Sequence, residues 1–322
     1  MKGLLKAKSA TSQLVTLLGV VLVSSFVIGA LGSTIVSIVT HVSLEDITKM
    51  ATAKVIEPRM IPVIRGLQVV QFFALFLVPC IICSYLFSER PARHLGLKPP
   101  HTAAFIFAGI LLMIIAYPFS GLLGELNRII PLPASWETWI TEKETDAAKS
   151  MKAMLGGQNI QTLITNLVVI AGLAAVGEEL LLRGMVQRIF TRMFKSPWAG
   201  IIISAVLFSA LHMQFKGFLP RVALGMILGA VYWYSGSLWV AILAHFFYDA
   251  ALILLVYFNP SLLEQDTVMD DQKLSLVVMG IISLVLTAGL MRWMILKSKT
   301  RYEEVYDEEL NAKDHPFENK IR

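Results

Sequence analysis

Long runs without charge constrain this chain more than any other feature it has. A bilayer core about 30 Å thick takes roughly 20 apolar residues of helix. Eight stretches are candidates for such a span: 13–40, 66–87, 102–124, 161–193, 198–216, 220–234, 238–258 and 274–296. Strand-type alternation is absent from them, which argues against a β-barrel. The expected fold is therefore all-α, a polytopic membrane protein of about eight transmembrane helices. The spans form one domain, 13–297, between an N-terminal tail (1–12) and a charged C-terminal tail (298–322). Composition agrees, because 56% hydrophobic and 16% charged residues leave too few charges to clothe a water-soluble domain of 322 residues.

The apolar run from Leu14 to Val39 far exceeds the roughly 7–15 residues of a signal-peptide core, so the first span is expected to be retained. The net charge of +5 then bears on topology, and no nucleic-acid partner is expected. Lys2, Lys6 and Lys8 precede span one; Arg90, Arg93 and Lys98 follow span two; Lys297, Lys299 and Arg301 follow span eight. Glu264, Asp266, Asp270 and Asp271 make the loop after span seven acidic. With an even number of spans, the positive-inside rule places both termini in the cytoplasm. Cys80 and Cys83 sit inside span two without the strand–helix context of a redox motif, and read as small packing residues. Between spans three and four, segment 125–160 sets Trp136, Trp139 and Ile140, then Ala147, Met151 and Met154, at near-helical spacing. It reads as an interfacial amphipathic helix, with a lid or docking element as the alternative.

Ionisable residues at membrane depth are costly and mark function by default. Of six histidines only His212 and His245 fall well inside apolar spans, and the comparable acids are Glu178, Glu179 and Asp249, with Arg183 a turn beyond the pair. A turn near Lys195–Ser196 places Glu179 and His212 about 16 residues, or about 24 Å of helix, from it on neighbouring helices. His245 comes to a similar level from its own turn at 235–237. His245 with Asp249, and Glu179 with Arg183, are four apart and share helix faces. Such a cluster fits three chemistries: a carboxylate activating water, with histidines binding metal or an oxyanion; an ion or proton relay of a transporter; or a polar clasp between helices. No H-E-x-x-H or G-x-S-x-G motif is present.

Three motifs run in order through this region: "EELLLR" (178–183), "FSALH" (208–212) and "HFFYD" (245–249), the last preceded by a glycine-rich helix and an "SLW" turn. They resemble the E-E-x-x-x-R, F-x-x-x-H and H-x-x-x-N/D motifs of the CPBP intramembrane proteases, the CAAX-processing and bacteriocin-processing (Abi) family. The resemblance covers roughly 160–258 and implies a CAAX-protease-like helical bundle that hydrolyses a peptide or membrane-protein substrate in the lipid bilayer. On it, Glu178 is the base that activates water, Glu179 supports it and pairs with Arg183, and His212 joins Glu178 at the water or metal. His245 and Asp249 face the developing oxyanion, and Phe208 orients the His212 ring. Asp249 stands where the CAAX-processing members have asparagine. The expected form is a metalloprotease, with Glu178, His212 and His245 as the three ligands of a zinc ion with an open position; the alternative is a metal-independent glutamate mechanism. The rival reading is a catalytically inactive binding or immunity factor, or an ion-coupled transporter, although no inverted repeat is visible.

Overall fold

The computed structural model describes residues 2–50, 56–263 and 273–301, and every major element in it is a helix. We label them α1 (Ala10–Thr40), α2 (Pro58–Phe87), α3 (Ala104–Arg128), α4 (Ala134–Leu155), α5 (Ile160–Phe194), α6 (Pro197–Leu211), α7 (Phe218–Ser235), α8 (Leu238–Phe258) and α9 (Lys273–Lys297). No strand occurs among the described residues. Seven helices, all but α4 and α6, are long and apolar enough to cross a membrane, and α6 is a shorter apolar one. The chain is an integral, multi-pass helical membrane protein. The acidic residues at 264–271 and the tail from Tyr302 onward lie outside the described residues.

The first helix starts three residues earlier than expected because Ser9 caps it, its side chain accepting from the Ser12 amide (3.2 Å). Residues 2–8 are not a loose tail. Gly3 and Leu5 donate their amides to Tyr85 O (2.9 Å) and Leu86 O (2.8 Å) at the end of α2. Lys6 Nζ donates to Glu89 Oε1 (2.7 Å), and this bond draws the exposed Glu89 carboxyl below its ordinary pKa. Cys80 and Cys83 are free thiols, both fully buried between helices, as packing residues should be.

The hairpin between α5 and α6 turns where the sequence places it. Lys195 takes the left-handed conformation (φ 51°) that ends α5, Ser196 caps α6, and Pro197 opens it. What lets the two helices touch is Gly200. A Cβ there would stand 2.1 Å from Thr191 Oγ1 and 2.5 Å from the Gln187 carbonyl. The backbone on one side cannot yield, so Gly200→Ala is expected to destabilise the bundle by roughly 1–3 kcal/mol. The measurement is thermal loss of monodisperse protein in detergent, and a wild-type profile would show that the two helices pack less closely than this contact requires.

The span expected at 198–216 is corrected by the structure. Helix α6 stops at Leu211; its 15 residues rise about 22 Å, short of a full crossing. The chain then breaks at Met213, a non-glycine residue held left-handed (φ 54°), before restarting as α7. Irregular backbone at membrane depth survives only where protein or a wet cavity satisfies it, and three helices do so here. Asn127 of α3 donates to Phe215 O and accepts from the Leu219 amide, both at 2.8 Å. Glu144 of α4 accepts from the Lys216 amide (2.7 Å). Arg221 of α7 donates to Gln214 Oε1 (2.7 Å) and, in a shorter contact, to Gln214 O. His212 thus lies at a helix end, not inside a span.

Helix α4 occupies segment 125–160, as the tryptophan spacing suggested. Ile140, Met154 and Leu155 are buried against the bundle while Trp136, Trp139 and Met151 are exposed, so the apolar set read from the sequence divides between the bundle and the surface.

Candidate active site

Two features of α5 shape the site. The helix widens into π-turns at Leu167–Leu173 and Leu180–Gln187, on either side of the Glu178–Glu179 pair. Such turns redirect side chains and recur at functional sites. They carry no sequence signature of their own. Between them the two glutamates take different environments. Glu179 is fully buried and Glu178 reaches a cavity, with 17% of its side chain exposed.

Glu179 is the hub of a buried network. Its Oε1 accepts from Arg183 Nη1 (2.9 Å) and stands 2.9 Å from His245 Nδ1, so the ring's Nδ1–H points at the carboxylate. Arg183, also fully buried, donates its other amino group to Gly225 O (2.9 Å) and places its guanidinium 5.2 Å from the centre of the Phe208 ring. One turn on, Gln187 Nε2 donates to Gly229 O (3.0 Å), so two side chains of α5 read two carbonyls of α7 four residues apart. At Gly229 the missing side chain leaves the room that the Gln187 amide fills. A Cβ on Gly229 would meet Gln187 Oε1 at 2.7 Å. The expected Glu179–Arg183 pair is therefore present, and Gln187 with Gly225 and Gly229 was not anticipated. The glycine spacing of α7 together with a buried glutamine was the available signal.

The Nε2 edge of His245 faces two further carboxylates, Asp249 Oδ2 at 3.4 Å and Glu178 Oε2 at 3.8 Å. His212 comes from the broken end of α6, and its Nδ1–H donates to Phe208 O (2.8 Å), which leaves Nε2 with a lone pair. Phe208 packs edge-on against both imidazoles, with ring centres 4.8 Å from His212 and 6.1 Å from His245. Glu178, His212, His245 and Asp249 all line one cavity of about 810 Å³, and Phe208 is in its wall. Most of the remaining wall is aliphatic or aromatic, with Gln68, Gln71, Gln214 and Arg221 adding polarity. This is the form of a binding site, an apolar pocket with a few convergent polar groups.

The geometry brings together every residue the sequence singled out. Residues 160–251 match the family model of Type II CAAX prenyl endopeptidase Rce1-like proteins. The match spans under a third of the chain, and it is the third that holds all three motifs. It agrees with the family the motifs resemble and implies an intramembrane endopeptidase. No curated protein and no solved structure matches the chain.

The zinc set that the sequence permits was Glu178, His212 and His245. Among the described residues no three His, Cys, Asp or Glu side chains are arranged to hold a metal ion. One nitrogen of each imidazole faces a protein acceptor, and the Phe208 ring contacts both rings. As placed, these side chains do not form a ligand cage.

Proposed function

We propose that the chain is an intramembrane endopeptidase in which Glu178 activates water for attack on a peptide bond held in the cavity. The observation that carries this reading is the convergence of Glu178, His212 and His245 on one pocket while Glu179 and Arg183 are sealed beneath it. Glu178 is the carboxylate of the pair with access to solvent, so it takes the proton of the attacking water. The lone pair on His212 Nε2 accepts the other hydrogen and aims the water. Glu179 orients His245 through Nδ1 and offsets the charge the ring carries when its Nε2–H donates to the developing oxyanion. The protonated Glu178 then gives its proton to the leaving amine. The apolar wall accommodates the hydrophobic flanks of a membrane-associated peptide. The test is cleavage of a peptide library by protein in liposomes, wild type against Glu178→Gln. Cleavage by neither would favour the rival reading, a polar clasp in a binding or transport protein.

Asp249 separates two roles. Glu179 already accepts from His245 Nδ1, so Asp249 is not required to orient the ring. Its carboxyl then takes the place an asparagine amide would fill beside the oxyanion. Asp249→Asn is expected to keep activity at neutral pH within about threefold of wild type or to raise it. A tenfold loss in folded protein would make Asp249 a charged partner of His245.

The metal question has its own measurement. In the metal-independent mechanism, purified active protein contains far less than one equivalent of zinc, and chelation leaves turnover unchanged. One equivalent of zinc, lost together with activity in His212→Ala, would show that Glu178, His212 and His245 close on an ion and would supersede the glutamate mechanism.

A further inference from the structure

The two ends of the bundle differ in closure and in charge. At one end lie the N-terminus, residues 88–103, the 195–196 and 236–237 turns, and residues 298–301. Leu238 donates its amide to Gly96 O (2.8 Å) and Ser237 Oγ to Lys98 O (2.5 Å). Ser298 Oγ donates to Tyr234 O (2.7 Å), and Arg192 Nη2 to Lys8 O (3.0 Å). These bonds lace loop to loop across that end. No residue from any of these loops lines the catalytic cavity.

The cavity instead runs from mid-bundle toward the opposite end. Its outer wall is Met151 and Leu155 of α4, Gly217 at the start of α7, and Leu262 and Leu263 beyond the end of α8. Met151 is 42% exposed, and the same helix displays Trp136 and Trp139, residues that favour the headgroup layer. The mouth therefore sits at a membrane surface, roofed by an interfacial helix.

Charge distinguishes which surface. Among the described residues, the loops of the laced end hold Lys2, Lys6, Lys8, Arg90, Arg93, Lys98, Lys195, Lys299 and Arg301, and the acid Glu89 is bound by Lys6. Outside the spanning helices, the cavity end holds fewer bases (Lys49, Lys143, Lys149, Lys152 and Lys216), interspersed with Glu45, Asp46, Glu57, Glu137, Glu142, Glu144 and Asp146; the terminal turns of the helices add Arg192 and Lys297 to the laced end and Arg59, Arg128, Arg221 and Lys273 to the cavity end. Every described loop is short enough for the positive-inside bias to apply.

We infer that the laced end faces the cytoplasm and that the active-site cavity opens on the extracytoplasmic side, so that its substrate is a peptide segment presented from that side. The substrate class that fits is a translocated peptide or the extracytoplasmic juxtamembrane stretch of a membrane protein. The substrate clause rests on the peptidase reading; the direction of opening does not.

Cysteine labelling tests the direction without any proteolysis. Met151→Cys and the conservative Ser135→Cys mark the cavity end, and Ala92→Cys, at an exposed position, marks the laced end. Native Cys80 and Cys83 are fully buried, so the unmodified chain is the silent control. With a membrane-impermeant maleimide on intact spheroplasts, the 151 and 135 variants are expected to label and the 92 variant only after permeabilisation. In inverted vesicles the pattern should reverse. Labelling of 92 from outside with 151 and 135 protected, or equal labelling of all three from both faces, would overturn the assignment. Peptide added outside sealed right-side-out vesicles should then be cleaved by wild type and not by Glu178→Gln. Cleavage only in inverted vesicles would refute the substrate side. Cleavage in neither, with the expected labelling, would count against the peptidase reading and leave the direction of opening established.

Discussion

Glu178→Gln is expected to lower peptide turnover at least ~100-fold while leaving folded yield near wild type. The amide keeps the shape of the carboxylate but cannot accept the proton of water. Glu178 also carries none of the buried network, since the bonds to Arg183 and His245 belong to Glu179. His212→Ala and His245→Ala should fall by a similar factor, for different reasons. The first removes the acceptor that aims the water, and the second removes the oxyanion donor. Their stabilities should differ as well. His245→Ala frees a buried Glu179 oxygen, whereas His212, at the exposed end of α6, leaves little behind. Assay in liposomes alongside size-exclusion profiles separates these effects, and full activity from Glu178→Gln would end the proposed mechanism.

Much of this site was legible because membrane burial makes charge scarce. In apolar runs, Glu178, Glu179, His212, His245 and Asp249 stand out with no structural help, and four-residue spacing places Glu179 with Arg183 and His245 with Asp249 on common faces. Counting residues from the 195–196 and 235–237 turns put the three motifs at about one level, and Glu178, His212 and His245 line one cavity. The count set a depth and no partner: in the structure Glu179 meets His245 of α8, and Glu178 shares the cavity with His212. Helical counting gives depth but not azimuth, and the π-turns around the pair rotate the face in a way that no residue pattern announces. The early end of α6 was hidden for a related reason. Residues 212–216 contain no proline or glycine, and the break at Met213 is held by Asn127 and Glu144 from distant parts of the chain and by Arg221 from the next helix. The same limit applied to Gln187, whose partner is a carbonyl that becomes visible only once α7 is in place.

Arg183 should be the most damaging single position for the fold. Its guanidinium neutralises a glutamate with no exposed surface, bonds a carbonyl of α7, and packs on Phe208, so one side chain joins α5, α6 and α7. Burying such a pair adds little over an apolar core. Removing one partner, by contrast, strands the other charge and typically costs about 3–5 kcal/mol. Arg183→Met, which keeps length and apolar bulk, is therefore expected to lose most folded protein in detergent. Arg183→Lys should be only partly better, because a single ammonium cannot span Glu179 and Gly225 with the planar fork of the guanidinium. The diagnostic variant is the double one. Glu179→Gln with Arg183→Met removes the stranded charge, so it should recover stability relative to Arg183→Met alone. Its activity should stay low, because a neutral amide in place of the Glu179 carboxylate no longer offsets the charge on His245. A double-mutant cycle on the folded fraction measures this coupling. If the two substitutions simply add, the ion pair is not what makes Arg183 indispensable, and its bonds to Gly225 and Phe208 carry the role instead.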